Sequence, residues 1–500
     1  MSEGGHGTRV AGAVLYPNGV RSINSHKLQS WIVNLKILDA NNSIPEYVFP
    51  PALLEKIIVE YAGEHKLKLF NHSVAANTPC RLNRMSMWAA VIDKLSYEND
   101  ILFLQAVGNL WEEGEGAHLG IKNNIDSGVD YPDYLMRPSS RIANPSQSLS
   151  ALSVGSISSS ELDTDNFISL GNTGDVSAFS RSGLGIWGTV KPEVVEYGGN
   201  YSISKQSVTT LLKAPKELSL ELPRVSPEGP LYSKNAVGTS FSTPKVSHVA
   251  SKLSQQFPGK SSLYYKTLIV QSAKWPGNIY PNDGDIALNK LRTLGFGLPI
   301  LENAQFNNDH RITAITNDNE NINEGDLHLY EIKIPEELRK PGEDFDILVE
   351  VTLCYTANPR RTRKNNRKYL STWVDWIPSN INEQPEVFKE YAEKVEDVEA
   401  ISRDASSFRW MLGAQSNQGI ANEVSRNKGL TQKDWAVVKS YELTEGFCIA
   451  VRGRKGWDTS GLNPANYCLA VSFESLGQEL PIYAHLKTQV ELPTPLRVVV

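Results

Sequence analysis

The chain has 500 residues, 40% of them hydrophobic and 21% charged, with a net charge of −6, a balance that fits a folded protein and excludes a disordered one. So small a charge makes no field for nucleic acid or an acidic membrane surface, and no apolar run approaches the roughly 18 residues needed to cross a bilayer. The length predicts two domains, which the change of pattern described below places at residues 1–304 and 305–500.

From Met1 to about Ala304, short apolar β-type runs alternate with helical patterns, the mark of βαβ units and a parallel sheet. LQSWIVNLKIL predicts a strand at its end. PALLEKIIVEYAG is amphipathic, with Leu53, Leu54, Ile57 and Ile58 at helical spacing, and LKLFNHSVA returns as a strand. MSMWAAVIDKL reads as a helix and ILFLQAVGN as a buried strand. Residues 111–148 are rich in Gly, Asn, Pro and Ser and predict long surface loops, after which ALSVGSIS resumes an apolar run. KVSHVASKLSQQF is the next helix, with Pro244 expected in its first turn, where a missing N–H is harmless.

From about Asp309 the period changes to two. In FDILVEVTLCY the residues Phe345, Ile347, Val349, Val351, Leu353 and Tyr355 share one face, and Tyr467, Leu469, Val471 and Phe473 do the same in YCLAVSF. With HLYEIKI, WAVVKSYEL, FCIAV and IYAHLKTQVEL these predict an all-β, sandwich-like region, interrupted by an exposed charged helix in EVFKEYAEKVEDVEAISRD. The basic run NPRRTRKNNRKY, with Arg360, Arg361, Arg363, Lys364, Arg367 and Lys368, reads as a solvated hairpin loop ahead of a site for an acidic partner or nucleic acid. Cys80, Cys354, Cys448 and Cys468 have no metal-binding spacing, and the first residues lack the basic-then-apolar order of a secretory signal. Both observations point to a reducing, cytoplasmic setting.

Three short blocks carry chemistry. In HGTRVAG, His6 leads into a helix through small residues, so a ring on a fixed backbone can project into a cleft as a general base; alone, it equally suits a surface histidine. In QAVGN, Asn109 stands just past a buried strand, where an open parallel sheet binds ligands and an amide donor can hold an oxyanion; alone, it is a turn residue. In GTSFSTP, Ser240 sits between a turn and a helix, among polarised N–H groups; an isolated GTS is more often a helix cap, and Ser242 is a nearby rival better suited to packing. His72 and His248 fall on segments with structural roles.

Taken together and in this order, HGTRVAG, AVGN and GTSFSTPKV resemble the His, oxyanion-Asn and Ser motifs of the subtilases. LKLFNHSVA, NPSQSLSALSVGSI, DVSAFSRSG, VKPEVVEYG and LRTLGFGLPILENA extend the resemblance to about Gly5–Ala304. It implies a subtilisin-like parallel sheet with flanking helices and peptide-bond hydrolysis through an acyl-enzyme. Ser240 would be the nucleophile, His6 the base and Asn109 an oxyanion donor, with Ser73, Val74 and Ala75 pairing with extended protein or peptide substrate. No cofactor or metal site is expected.

The family's third catalytic group is an Asp at the end of a strand preceding the His motif, and only MSEGG precedes His6 here. Glu3 is too close to His6 to come from a separate strand, and Asp39 in KILDA suits a loop or cap. The expectation is a chain without its Asp-bearing strand, leaving unpaired backbone where that strand should lie. Analogy to intracellular subtilases encoded beside an AAA-type ATPase suggests such a partner. A non-catalytic protein that keeps the fold for binding is the competing reading.

Overall fold

The computed structural model of the chain describes residues 5–19, 28, 30–39, 43–114, 118–205, 211–223, 232–278, 280–334, 344–361, 368–394, 408–415, 418–421, 423–443, 446–478, 490–492 and 496–499. Glu3, Arg363, Lys364, Arg367, residues 395–404 of the charged segment and residues 482–489 lie outside that set.

Helix α1 (His6–Leu15) precedes an irregular stretch and α2 (Pro50–Ile58), which begins on Pro50 and Pro51, where a missing N–H costs nothing. Then come β1 (Leu69–His72), α3 (Met87–Asn99), β2 (Leu102–Ala106), β3 (Leu152–Ile157) and β4 (Val194–Tyr197). Ser86 caps α3 by accepting the Ala89 N–H at 3.0 Å. The four strands form one sheet in the order β1, β2, β3, β4, with every pair parallel. Strands β2 and β3 are buried along their whole length, which is why they read as continuous apolar runs. Helices α4 (Thr239–Gln256), α5 (Ser262–Ser272) and α6 (Gly284–Leu294) follow.

The strand expected at the end of LQSWIVNLKIL is not formed: residues 30–39 are neither helix nor strand. A strand needs a neighbour, and among the described residues none pairs with this segment or with the outer edge of β1. Trp31 and Val33 accordingly lie exposed.

The second half holds β5 (Arg311–Ile315), β6 (Asp326–Lys333), β7 (Asp346–Thr356), β8 (Thr372–Pro378), α7 (Pro385–Lys394), β9 (Thr431–Lys439), β10 (Gly446–Lys455), β11 (Ala465–Ser475), β12 (Val490–Glu491) and β13 (Leu496–Val499). They make two sheets, ordered β9, β7, β11, β5, β12 and β8, β10, β6, β13, antiparallel throughout except for the parallel pair β5 and β12. Ile347, Val349, Val351, Leu353 and Tyr355 of β7 face Tyr330, Trp376, Phe447 and Ile449 in the core between the sheets. The opposite face of β7 is buried too, with Leu348 and Cys354 joining the core formed around α5. The basic run is less free than expected, since the Arg360 guanidinium stacks on Trp457 at 3.5 Å and Arg361 Nε donates to the Met85 carbonyl at 3.3 Å.

Candidate active site

Ser240 is the second residue of α4, whose N-cap Gly238 has φ 141°, a backbone that side chains rarely tolerate. Pro244 lies one turn deeper in this helix than expected. Having no N–H, it supplies no helical donor to the Ser240 carbonyl, and the Ser73 hydroxyl donates there instead at 3.0 Å. Ser240 Oγ in turn lies 3.4 Å from the Ser73 carbonyl, which ties the nucleophile candidate to the segment after β1.

Asn109 stands exposed just past β2. Its Oδ1 accepts both the backbone N–H (3.0 Å) and the hydroxyl (2.9 Å) of Thr239. A backbone N–H can only donate, so the atom facing it must be the oxygen, and Nδ2 is the end turned away. A Cβ placed on Gly238 would lie 3.2 Å from that Nδ2. The amide donor therefore lies beside the start of the Ser240 helix.

His6 opens α1, and its ring packs on Phe241, the residue after Ser240, at 5.6 Å between centroids. His248 Nδ1 bonds the Val14 carbonyl at 2.7 Å, and Ala13 shares a small core with Phe241, so α1 is anchored along α4. Burial, with a smaller contribution from the Arg9 charge, lowers the His6 pKa, which favours the neutral ring that accepts a proton. Among the described residues no hydrogen bond joins His6 to Ser240, and no carboxylate acts on the ring.

Ser73, Val74 and Ala75 run beside these groups. The Val74 carbonyl turns inward to Gln105 Nε2 at 3.0 Å, while the Ala75 N–H has no partner among the described residues. Gln105 also bonds the buried His72 ring at 2.5 Å, so His72 is structural. Ser242 is fully buried with its hydroxyl turned to the Thr239 carbonyl at 3.1 Å. Asp39 caps its own turn, Oδ1 accepting the Ser43 N–H at 3.0 Å. It also lines a cavity of 510 Å³ that extends from His6 between residues 34–39 and residues 71–74.

Sequence reasoning passed over Thr239, which orients Asn109, and Gln105, which backs the Val74 segment. Gln105 did leave a signal, as a polar residue inside an otherwise apolar buried strand. Among the described residues no group of three His, Cys, Asp or Glu side chains could hold a metal ion, and no helix is long and apolar enough to cross a membrane.

A model of the subtilase family matches residues 1–310, and the chain belongs to that family. Family membership supports a peptidase-type function. The uncharacterized protein y4bN of Sinorhizobium fredii (strain NBRC 101917 / NGR234) is 28% identical over 300 residues, 56% of this chain and 65% of that protein. The chain thus spans 65% of the length of this relative. Similar solved structures include an alanine mutant of the protease domain of PatA, at 15% identity and TM-score 0.34 over 61% of this chain and 81% of that one. The subtilase cytotoxin SubAB matches at 16% identity and TM-score 0.35, covering 60% and 74% of the two chains.

Proposed function

We propose that this chain forms the larger part of a serine endopeptidase. The observation that best supports the reading is that His6 of α1 packs on Phe241 in the first turn of α4, while Asn109, in the turn after β2, bonds Thr239 at the start of the same helix. Ser240 Oγ would attack the scissile carbonyl as His6 takes its proton, and His6 would return that proton to the leaving amine. Asn109 Nδ2 and the Ser240 N–H would hold the oxyanion, in register with substrate laid along Ser73–Ala75.

His6 still needs a carboxylate to hold its tautomer and stabilise the charged ring. The cavity beside it has a β1 edge with no paired strand among the described residues on one side and residues 34–39 without regular structure on the other. We infer that a strand bearing a carboxylate fills it, adding to the β1 edge by main-chain hydrogen bonds. A fluorophosphonate probe applied to the protein as expressed from its natural locus should label Ser240, and Ser240→Ala should remove the label. A label that survives in the mutant would exclude Ser240. The absence of a carboxylate on His6 among the described residues favours a second reading, a binding module, and an intact protein that never takes the label would establish it.

A further inference from the structure

We propose that Arg181 is a positioning residue for peptide-bond hydrolysis: its guanidinium holds the turn that carries Asn109 at a fixed spacing from the Ser73–Ala75 segment, so that the amide donor and a peptide laid along that segment meet in register. The inference rests on the peptidase reading and adds to it a side chain that acts through Asn109.

Asn109 has to be held by its neighbours, because it is exposed and follows Gly108, whose φ of 91° turns the chain just past β2. One segment ties down three consecutive residues of this turn. The Arg181 N–H donates to the Gly108 carbonyl at 3.3 Å, and the Leu110 N–H donates to the Phe179 carbonyl at 2.7 Å. Between them Arg181 Nε donates to the Asn109 carbonyl at 3.2 Å. Since Thr239 occupies Oδ1, Asn109 is fixed at its backbone by Arg181 and at its amide by the start of α4.

The same guanidinium reaches the far side of the cleft. Arg181 Nη2 donates to the Asn77 carbonyl at 2.8 Å, two residues past Ala75, and Nη1 donates to the carbonyls of Ser139 and Arg141 at 3.0 Å each. A planar fork thus spans from the Asn109 turn to the end of the Ser73–Ala75 segment, and a lysine, with one nitrogen on a flexible stem, cannot reproduce that geometry. The Arg181 side chain is buried. Burial lowers its pKa to about 10, offset in part by Cys80, so it stays charged at neutral pH, and no carboxylate acts on it among the described residues. A buried cation answered by carbonyls alone is unfavourable beside an apolar side chain of similar volume. What the arrangement gains is rigidity, since charge-assisted bonds are the strong ones and a misplacement of about 1 Å at a reacting centre can slow a reaction about 10²-fold.

The test uses the protein as expressed from its natural locus, with sites titrated by the fluorophosphonate so that turnover is counted per reactive Ser240 and unfolded chains do not enter. Arg181→Lys keeps the charge and loses the fork; Arg181→Gln, which keeps a planar amide donor, serves where the first variant is poorly folded. Either should lower kcat for a peptide amide by about ten- to a hundredfold while KM changes by less than about threefold. In an Asn109→Ala background, where no amide is left to place, the same substitution should lower kcat by less than about twofold further. An unchanged kcat, the same fold-loss in both backgrounds, or failure of both variants to fold would overturn the proposal and leave the peptidase reading standing. A parent protein that never takes the label would sink the peptidase reading, and this inference with it.

Discussion

The two halves of the molecule finish their sheets in different ways. The parallel sheet ends at β1, an edge with no paired strand among the described residues, beside a 510 Å³ cavity next to His6. The antiparallel half buries both faces of β7 and uses the second face to hold charge: Glu350 bonds Lys433 at 2.8 Å and lies 3.6 Å from Arg311, which in turn approaches Glu474 at 3.2 Å. Lys433 Nζ also donates to the carbonyls of Val270 (3.1 Å), Gln271 (3.2 Å) and Ala273 (2.7 Å), at the end of α5. A lysine from the second half therefore satisfies the last carbonyls of a helix in the first, where a cation is favoured by the helix dipole. The site is built where the fold is left open, and the halves are fastened where it is closed.

The largest effect should come from breaking that fastening. Removing one member of a buried ion network leaves the others uncompensated and costs about 3–5 kcal/mol, so Glu350→Ala should lower the urea midpoint sharply. Burial alone would raise the Glu350 pKa, but Lys433, Lys274 and Arg311 outweigh it and hold the carboxyl at about 2 against an ordinary 4.5. A depressed carboxyl stabilises the fold above its unfolded value. That contribution is lost as pH falls from 4.5 towards 2, so the penalty of the substitution should shrink across the same interval. An unchanged midpoint at pH 7 would show that the halves are not joined here.

Asn109 offers the converse case. Its side chain is exposed and its Nδ2 bonds no other group among the described residues, so on the proposed reading a substitution should cost activity and little stability. Loss of one oxyanion donor raises the barrier by about 2.7–4 kcal/mol. On the peptidase reading proposed above, Asn109→Asp, which keeps an oxygen for the Thr239 N–H and removes the amide donor, should lower turnover by about 10²–10³ with the melting temperature nearly unchanged. A variant that keeps its turnover would remove Asn109 from the site.

Much of this was legible in the sequence. Strands β2 and β3 announced themselves by unbroken burial, and period two in FDILVEVTLCY picked out the face of β7 that meets the other sheet. What covers the second face was not legible, because Glu350 among apolar neighbours looks like a solvated position until Lys433 and Arg311, distant in sequence, are brought to it. LKIL has the composition of a strand, yet composition cannot supply the neighbour a strand requires. His6, Asn109 and Ser240 were singled out as candidates by their local context. Thr239 and Arg181 act through contacts to Asn109, from 130 and 72 residues away, and no local pattern marks either.

The smallest effect concerns the joint between the segment after β1 and Ser240. Pro244 has no N–H for the Ser240 carbonyl, and Ser73 Oγ takes the vacant position at 3.0 Å while accepting Asn71 Nδ2 at 3.0 Å. Ser73→Ala should therefore destabilise the protein by about 0.5–1.5 kcal/mol, the worth of one ordinary hydrogen bond. The reason proposed for that bond is separable from its strength. In a Pro244→Ala background the helix regains an N–H one turn after Ser240, its carbonyl acquires a helical donor, and the hydroxyl of Ser73 becomes redundant. The cost of Ser73→Ala, read from urea midpoints in a double-mutant cycle, should then approach zero. An equal cost in both backgrounds would mean that the Ser73 hydroxyl matters for some reason other than the gap left by the proline.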